Sequence, residues 1–281
     1  MAARYPQRIV CLTEETCETL YLLGEQDRIV GISGFTVRPP RARKEKPKVS
    51  AFISAKTDKI LALEPDLVLG FSDMQADIAA QLVRQGLAVH VFNQRSVAQI
   101  LDMILCLGSL VGATARAEAL VERFESHLED IRRAAAAWVA RPRVYFEEWD
   151  APLISGIRWV SELIEIAGGQ DCFMENSRFP DAKRRIIADA DEVVRRRPDI
   201  IIGSWCGKRF RPELVGARAG WREIPAVAHG EVHEIKSSNI LQPGPAALTD
   251  GVQQLHAIVA RWQERAGNDK NPLERVNAIY I

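Results

Sequence analysis

Ile60-Leu61-Ala62-Leu63-Glu64-Pro65-Asp66-Leu67-Val68-Leu69-Gly70 decides the fold. An apolar segment with helical spacing stops at a Pro-Asp pair, and an unbroken apolar run follows, which reads as helix, proline stop and buried strand. The same succession returns at Val193-Val194-Arg195-Arg196-Arg197-Pro198-Asp199-Ile200-Ile201-Ile202-Gly203. Likewise Gly230-Glu231-Val232-His233-Glu234-Ile235 echoes the stretch from Gly86 to Val91. Apolar strands alternating with helices predict a parallel sheet covered on both faces. Their recurrence predicts two copies of one α/β plan.

Working outward, Arg8-Ile9-Val10-Cys11-Leu12 is a first strand that meets a polar loop, Thr13-Glu14-Glu15-Thr16, before a helix over 18–23 that stops at Gly24. Strands are predicted over 29–32 and 87–92, and a helix over 78–85. Between the two copies, 114–139 carries Ala117, Leu120, Val121, Phe124, Leu128, Ile131, Ala135 and Trp138 at three- and four-residue steps, without Gly or Pro. At about 1.5 Å per residue this is a helix on the order of 40 Å long, suited to a strut. Arg143-Val144-Tyr145-Phe146 then restarts the grammar as a strand running into Glu147-Glu148-Trp149-Asp150, and a last helix is predicted over 246–265. The expected fold class is α/β, with two similar α/β lobes, parallel central sheets, one long rigid joining helix and a ligand cleft between the lobes. Its boundaries are 8–112, 113–140 for the helix, 141–265, and a polar tail at 266–281.

A chain of 281 residues accommodates two cores. At 47% hydrophobic and 26% charged residues it is neither disordered nor fibrous. Lys+Arg and Asp+Glu stand at 37 each, so no charge excess draws nucleic acid or anionic lipid. The basic runs Arg41-Ala42-Arg43-Lys44 and Arg195-Arg196-Arg197 read as solvated faces and helix ends. No apolar run reaches the length of a membrane span. Residues 1–7 lack the pattern of a secretory signal, which places the chain as it stands in the cytoplasm, or in the periplasm if a native signal precedes Met1. Five cysteines without CxxC spacing indicate neither a zinc ribbon nor a disulfide framework, and Cys106, in Ile104-Leu105-Cys106-Leu107, reads as a buried structural thiol.

In open parallel sheets the carboxyl ends of the strands form the binding crevice. In the first half these ends present Thr13, Glu14 and Glu15, then Phe35, Phe52 and Phe71-Ser72-Asp73. In the second they present Glu147, Glu148 and Trp149, then Trp205-Cys206-Gly207-Lys208, then Asn239 and Gln242. An aromatic just beyond a strand is costly to leave in water, although for any single one a core contact is an equal alternative.

The ordered set of an N-terminal R-I-V-x-L, Gly31-Ile32-Ser33-Gly34-Phe35 leading to Pro39-Pro40, Leu63-Glu64-Pro65-Asp66-Leu67-Val68, the long helix, Ser155-Gly156, Ala167-Gly168-Gly169 and Arg197-Pro198-Asp199-Ile200-Ile201 resembles the helical-backbone (class III) substrate-binding proteins of ABC importers, which take cobalamin or iron siderophores. The likeness runs from about Arg8 to Trp262 and is greatest to the cobalamin-binding members. It implies a corrinoid or related metal chelate as ligand, no intrinsic cofactor, no catalytic residue and no protein metal ligands. It implies a small-molecule ligand and an ABC permease, or an unknown cytosolic partner, with no nucleic acid and no membrane-embedded part. It places Phe35, Phe52 and Phe71 against a flat corrinoid, with Trp149, Trp205 and Gln242 on loops of the second half.

Three features depart from the family pattern: the signal is missing, Glu14, Glu15, Glu147 and Glu148 are acidic, and Cys206 lies beside Lys208. Carboxylates suit a cationic or amide-rich ligand, so Glu15 and Glu148 join the candidate set, with solvated loop acids as the alternative. The thiol of Cys206 joins it as a soft donor, with a simple loop cysteine as the alternative. A free-metal site is disfavoured, because His90, His127, His229, His233 and His256 all fall away from the crevice loops. Siderophore binding stays open as an alternative. So does a cysteine-dependent corrinoid-processing enzyme, in which Glu147, Glu148 and Cys206 act together, although no nucleophile elbow or phosphate loop supports it.

Overall fold

The computed structural model describes residues 5–269, which divide into two compact units. The first is the chain through Ser126 together with Gln242–Leu248, and the second is His127–Leu241 with the chain from Thr249.

The first unit holds strands β1 (Ile9–Cys11), β2 (Ile29–Ser33), β3 (Lys48–Ala51), β4 (Ser54–Ala55), β5 (Leu67–Phe71) and β6 (Val89–Phe92), in the order β4-β3-β2-β1-β5-β6. Neighbours are parallel except β3 and β4, a hairpin whose turn is Phe52-Ile53. Its helices are α1 (Glu14–Leu22), α2 (Ala42–Glu45), α3 (Thr57–Leu61), α4 (Ala76–Arg84), α5 (Val97–Leu110) and the start of α6 (Thr114–Ala136). Val10, Leu12, Val49, Ile60, Val68 and Leu82 pack as one core cluster. Burying each such side chain stabilises by roughly 1.5–3 kcal/mol. Helix α5 meets α6 so closely that a Cβ on Gly108 would overlap that of Ala117.

The second unit holds β7 (Arg143–Asp150), β8 (Leu153–Ser155), β9 (Gln170–Asp171), β10 (Ile200–Gly203) and β11 (Val232–Glu234), in the order β11-β10-β7-β8 with β9 also beside β7. Only β8 runs antiparallel. Helices α7 (Arg158–Ile166), α8 (Asp191–Arg196), α9 (Pro212–Gly216), α10 (Pro225–Ala228), α11 (Ser237–Ile240) and α12 (Val252–Asp269) complete it. Tyr145, Phe173, Ile201, Trp205, Phe210 and Trp221 belong to its aromatic core.

The repeated Pro-Asp segment does the same work twice. Glu64 and Arg197, each just before the proline, take left-handed φ angles of 45° and 46°. Asp66 then accepts hydrogen bonds from the Gln7 and Arg8 backbone N–H groups (2.7 and 2.9 Å) and donates its own N–H to the Arg8 carbonyl (2.9 Å). Asp199 accepts from the Arg143 N–H (2.8 Å) and donates to the Arg143 carbonyl (2.8 Å). Each aspartate thereby fixes the entry of the central strand, β1 or β7.

Helix α6 is one element of 23 residues, about 35 Å long, with Ala117, Leu120, Val121, Phe124, Leu128, Ile131 and Ala135 buried. The division between units falls inside it, between Ser126 and His127. Several expectations are corrected. Helix α1 begins at Glu14, because acids are stabilised in a first helical turn, and not at residue 18. Strand β7 continues through Asp150, putting Glu147, Glu148 and Trp149 in the sheet rather than in a loop. Gln242 belongs with the first unit and not with the second. Cys106 is exposed on the outer side of α5, its apolar neighbours facing the core at helical spacing, while Cys11 and Cys17 are the buried thiols. Helix α12 extends past residue 265, and 270–281 of the expected tail lie outside the described residues.

Replacing Asp66 or Asp199 with Ala should lower unfolding free energy by about 1–2 kcal/mol, the loss expected when strand-entry amides lose their acceptor. Urea titration checks it; a change within error in both variants would remove the lock from the account.

Candidate functional site

At the carboxyl end of the first sheet the loops leave apolar side chains in water. Phe35, after β2, is 52% exposed, Ile53 in the β3–β4 turn 69%, and Met74 after β5 58%. Val37 is also exposed and Phe52 half-buried. Large apolar groups exposed on the strand-end loops of one sheet are candidates for a binding surface, where cover by a ligand would offset their hydration cost. Phe71 differs from the expectation: as the last residue of β5 it is buried, and the Arg95 guanidinium lies 4.6 Å above its ring centre.

Behind the rim sits a buried acid cluster. Thr13 donates from Oγ1 to Glu15 Oε1 (2.5 Å), while Glu15 Oε2 is buried with no hydrogen-bond partner among the described residues. Burial, first, and the Glu18 charge push the Glu15 carboxyl up to about 7 against the pull of the Thr13 bond. Burial with the charges of Glu15 and Glu18 pushes Glu14 up to about 8. Glu18 accepts from Arg38 Nε (2.8 Å) and from the Ala246 N–H (3.1 Å). Gly244 lies flush against Glu15, so a Cβ there would overlap that side chain. Gln94 Nε2 donates to the Pro243 carbonyl (2.8 Å), so residues 243–246 are clasped between the β6 loop and α1. Glu15 is therefore a buried helix residue beneath a backbone strap, and not the loop carboxylate that the sequence suggested. Gln242, at the start of the strap, is half-buried.

In the second unit, Glu147 and Glu148 are adjacent near the end of β7, where its register with β8 shifts, and they take different partners. Glu147 is fully buried and accepts from Arg218 Nη1 and Nη2 (2.5 and 2.9 Å), Trp205 Nε1 (3.0 Å) and Tyr145 OH (3.2 Å). Glu148 accepts a two-pronged pair of bonds from the buried Arg185 (2.6 and 2.9 Å). Trp205, 3% exposed, packs edge-on to Phe210 at 4.9 Å. Glu148 thus lies in strand β7 and not on a loop, bound to Arg185, whereas Trp205 does lie on the loop after β10 but is buried there against Glu147 and Phe210. Trp149 remains half-buried, its Nε1 donating to the Ala151 carbonyl (3.0 Å). Lys208 Nζ is held by Asp150 (2.6 Å) at 4.7 Å from the Trp205 ring and 5.4 Å from that of Trp149, and Cys206 is exposed in the same turn.

The sequence reading missed Ile53, Met74, Gln75, Arg95, Arg185 and Arg218. Ile53 and Met74 lie in short turns without periodicity. Arg185 ends the basic run Lys183-Arg184-Arg185, in which nothing distinguishes the buried residue from the exposed ones. Among the described residues no group of three or more His, Cys, Asp or Glu could hold a metal ion, and no helix is long and apolar enough to cross a membrane.

Comparison with known proteins gives a consistent picture. The profile described as periplasmic binding protein matches residues 9–238. A protein of Halobacterium salinarum named cobalamin-binding protein is 26% identical over 263 residues, covering 90% of this chain and 69% of that one. An uncharacterised ABC transporter substrate-binding lipoprotein of Bacillus subtilis is 28% identical over 269 residues, covering 89% and 79%. The crystal structure of a periplasmic vitamin B12-binding protein of Vibrio cholerae superposes with a TM-score of 0.74 at 23% identity, covering 92% of this chain and 98% of that one.

The pH dependence of the first unit follows from Glu14 and Glu15. Both carboxyls are raised on folding, so their contribution to stability is complete below about pH 4.5 and is lost as pH rises through 7 to 8. Glu15→Gln removes part of that loss. The variant should gain on the order of 2 kcal/mol over wild type between pH 5 and pH 9. Parallel stability curves from denaturant unfolding across that range would contradict it.

Proposed function

The chain belongs to the periplasmic binding protein family, a family of binding proteins and not of enzymes, and on that premise we propose that it reversibly binds a corrinoid or closely related metal chelate. One observation carries the reading: the apolar rim of Phe35, Val37, Phe52, Ile53 and Met74 at the carboxyl-end loops of the first sheet. A flat, largely apolar macrocycle would cover these side chains, releasing roughly 25 cal/mol for each Å² removed from water. The names of its relatives agree, since one is called a cobalamin-binding protein and another an ABC transporter substrate-binding lipoprotein. The metal arrives as part of the ligand, so no protein metal centre is required. The partner implied by this role is the permease of an ABC importer.

Isothermal titration with cyanocobalamin, hydroxocobalamin and cobinamide tests the reading, with haemin and a ferric siderophore as comparison ligands. The expected result is micromolar or tighter binding of at least one corrinoid, weakened about tenfold or more by Phe35→Ala or Phe52→Ala. Binding of haemin or the siderophore with no heat from any corrinoid would replace the corrinoid reading with that chelate class.

A further inference from the structure

The exposed rim of the first unit is held in shape by a residue that itself faces no solvent. Gln75 is fully buried at the end of the turn that follows β5. Its Oε1 accepts from the Phe71 backbone N–H (2.9 Å), and its Nε2 donates to the Phe52 carbonyl (2.7 Å), 23 residues away in sequence. One side chain thereby ties the β5 loop, which carries Met74, to the β3–β4 turn, which carries Phe52 and Ile53. Room for it is built into the strand: a Cβ on Gly70 would stand 2.9 Å from Gln75 Oε1. The backbone leading to it is strained, since Ser72 adopts φ 66° while its Oγ accepts from the Met74 N–H (3.3 Å). A non-glycine residue in that region costs on the order of 1–3 kcal/mol and persists only where its surroundings over-determine it. Here the surroundings include the two bonds made by Gln75.

The cost and the geometry have one common result. They project Met74 and Ile53 outward, at 58% and 69% exposure, although burial would be cheaper for both. We propose that Gln75 is a positioning residue that pre-organises Phe52, Ile53 and Met74 as a single ligand-contact surface, with Ile53 and Met74 as ligand contacts in their own right. This rests on the ligand-binding reading above. A rim fixed before the ligand arrives loses little conformational entropy on binding, so removing the brace acts chiefly on how long the complex lasts.

Two measurements on the whole chain test this separately. In the ligand-free protein, hydrogen exchange in Gln75→Leu should accelerate about tenfold or more over 50–55 and 71–74, with β1, α5 and the second unit unchanged. With cyanocobalamin as probe, stopped-flow kinetics should show dissociation about tenfold faster and association within about twofold of wild type. Gln75→Glu adds a readout that packing alone would not move. Ionised at pH 8 it has no donor for the Phe52 carbonyl, whereas protonated at pH 5 it regains one, so rim protection relative to wild type should recover at the lower pH. Unchanged rim exchange, or acceleration spread evenly through the first unit, overturns the brace. Loosening of the rim with unchanged cyanocobalamin kinetics overturns its role toward ligand. If wild type binds none of cyanocobalamin, hydroxocobalamin and cobinamide, the corrinoid reading fails instead, and the exchange data alone decide the brace.

Discussion

The aspartate that follows each proline stop is the interaction on which the rest depends. A parallel strand has no hairpin partner to set its register, so something must fix where it enters the sheet. Asp66 and Asp199 do this by binding the backbone at the start of the neighbouring central strand, accepting from its N–H and donating to its carbonyl. Once the entry of β1 and β7 is set, their exits are set too. The loops that leave the opposite end then emerge in fixed places, and every candidate ligand residue sits on or near one of those exits.

The two sheets use their exits differently. In the first unit polar groups go beneath the surface, where Glu15, Glu18, Gln75 and Gln94 bond to backbone or to one another's neighbours, and apolar groups go out into water. In the second unit the aromatic Trp205 goes inward and the ion pairs Glu147–Arg218 and Glu148–Arg185 cross the strand end. Such pairs contribute little net stability against an apolar replacement, yet losing one partner leaves a buried charge at a cost of about 3–5 kcal/mol. They hold a shape, and the turn carrying Cys206 and Lys208 is built on that shape.

Most of the fold was legible in the sequence because its signals are local and redundant. The apolar runs of β5 and β10, the proline stops and the spacing of α6 each state one element, and the duplication states them twice. The hairpin β3–β4 was not legible, since Lys48-Val49-Ser50-Ala51 is short and half polar. For the candidate residues, strand-end position was more legible than the direction in which each side chain turns. Phe35 and Phe52 stand just beyond strands, but Phe71 turns inward because β5 runs one residue further, and Trp205, on its loop, turns inward to bond Glu147 and pack on Phe210. Gln75 could not be found at all from sequence, for its function lies in a bond to a carbonyl 23 residues away.

Glu147 and Glu148 are both spent on structural bonds and do not form reaction machinery. A general acid or base needs a lone pair or proton that substrate can reach. Glu147 has no exposed surface, and its two oxygens already receive two guanidinium bonds, an indole N–H and a phenol O–H, which together fill the acceptor capacity of a carboxylate. Glu148 is committed to both terminal nitrogens of Arg185. Neither acid is thereby placed to serve as a base toward a neighbouring nucleophile, because the oxygens of both are already committed to Arg218, Trp205, Tyr145 and Arg185.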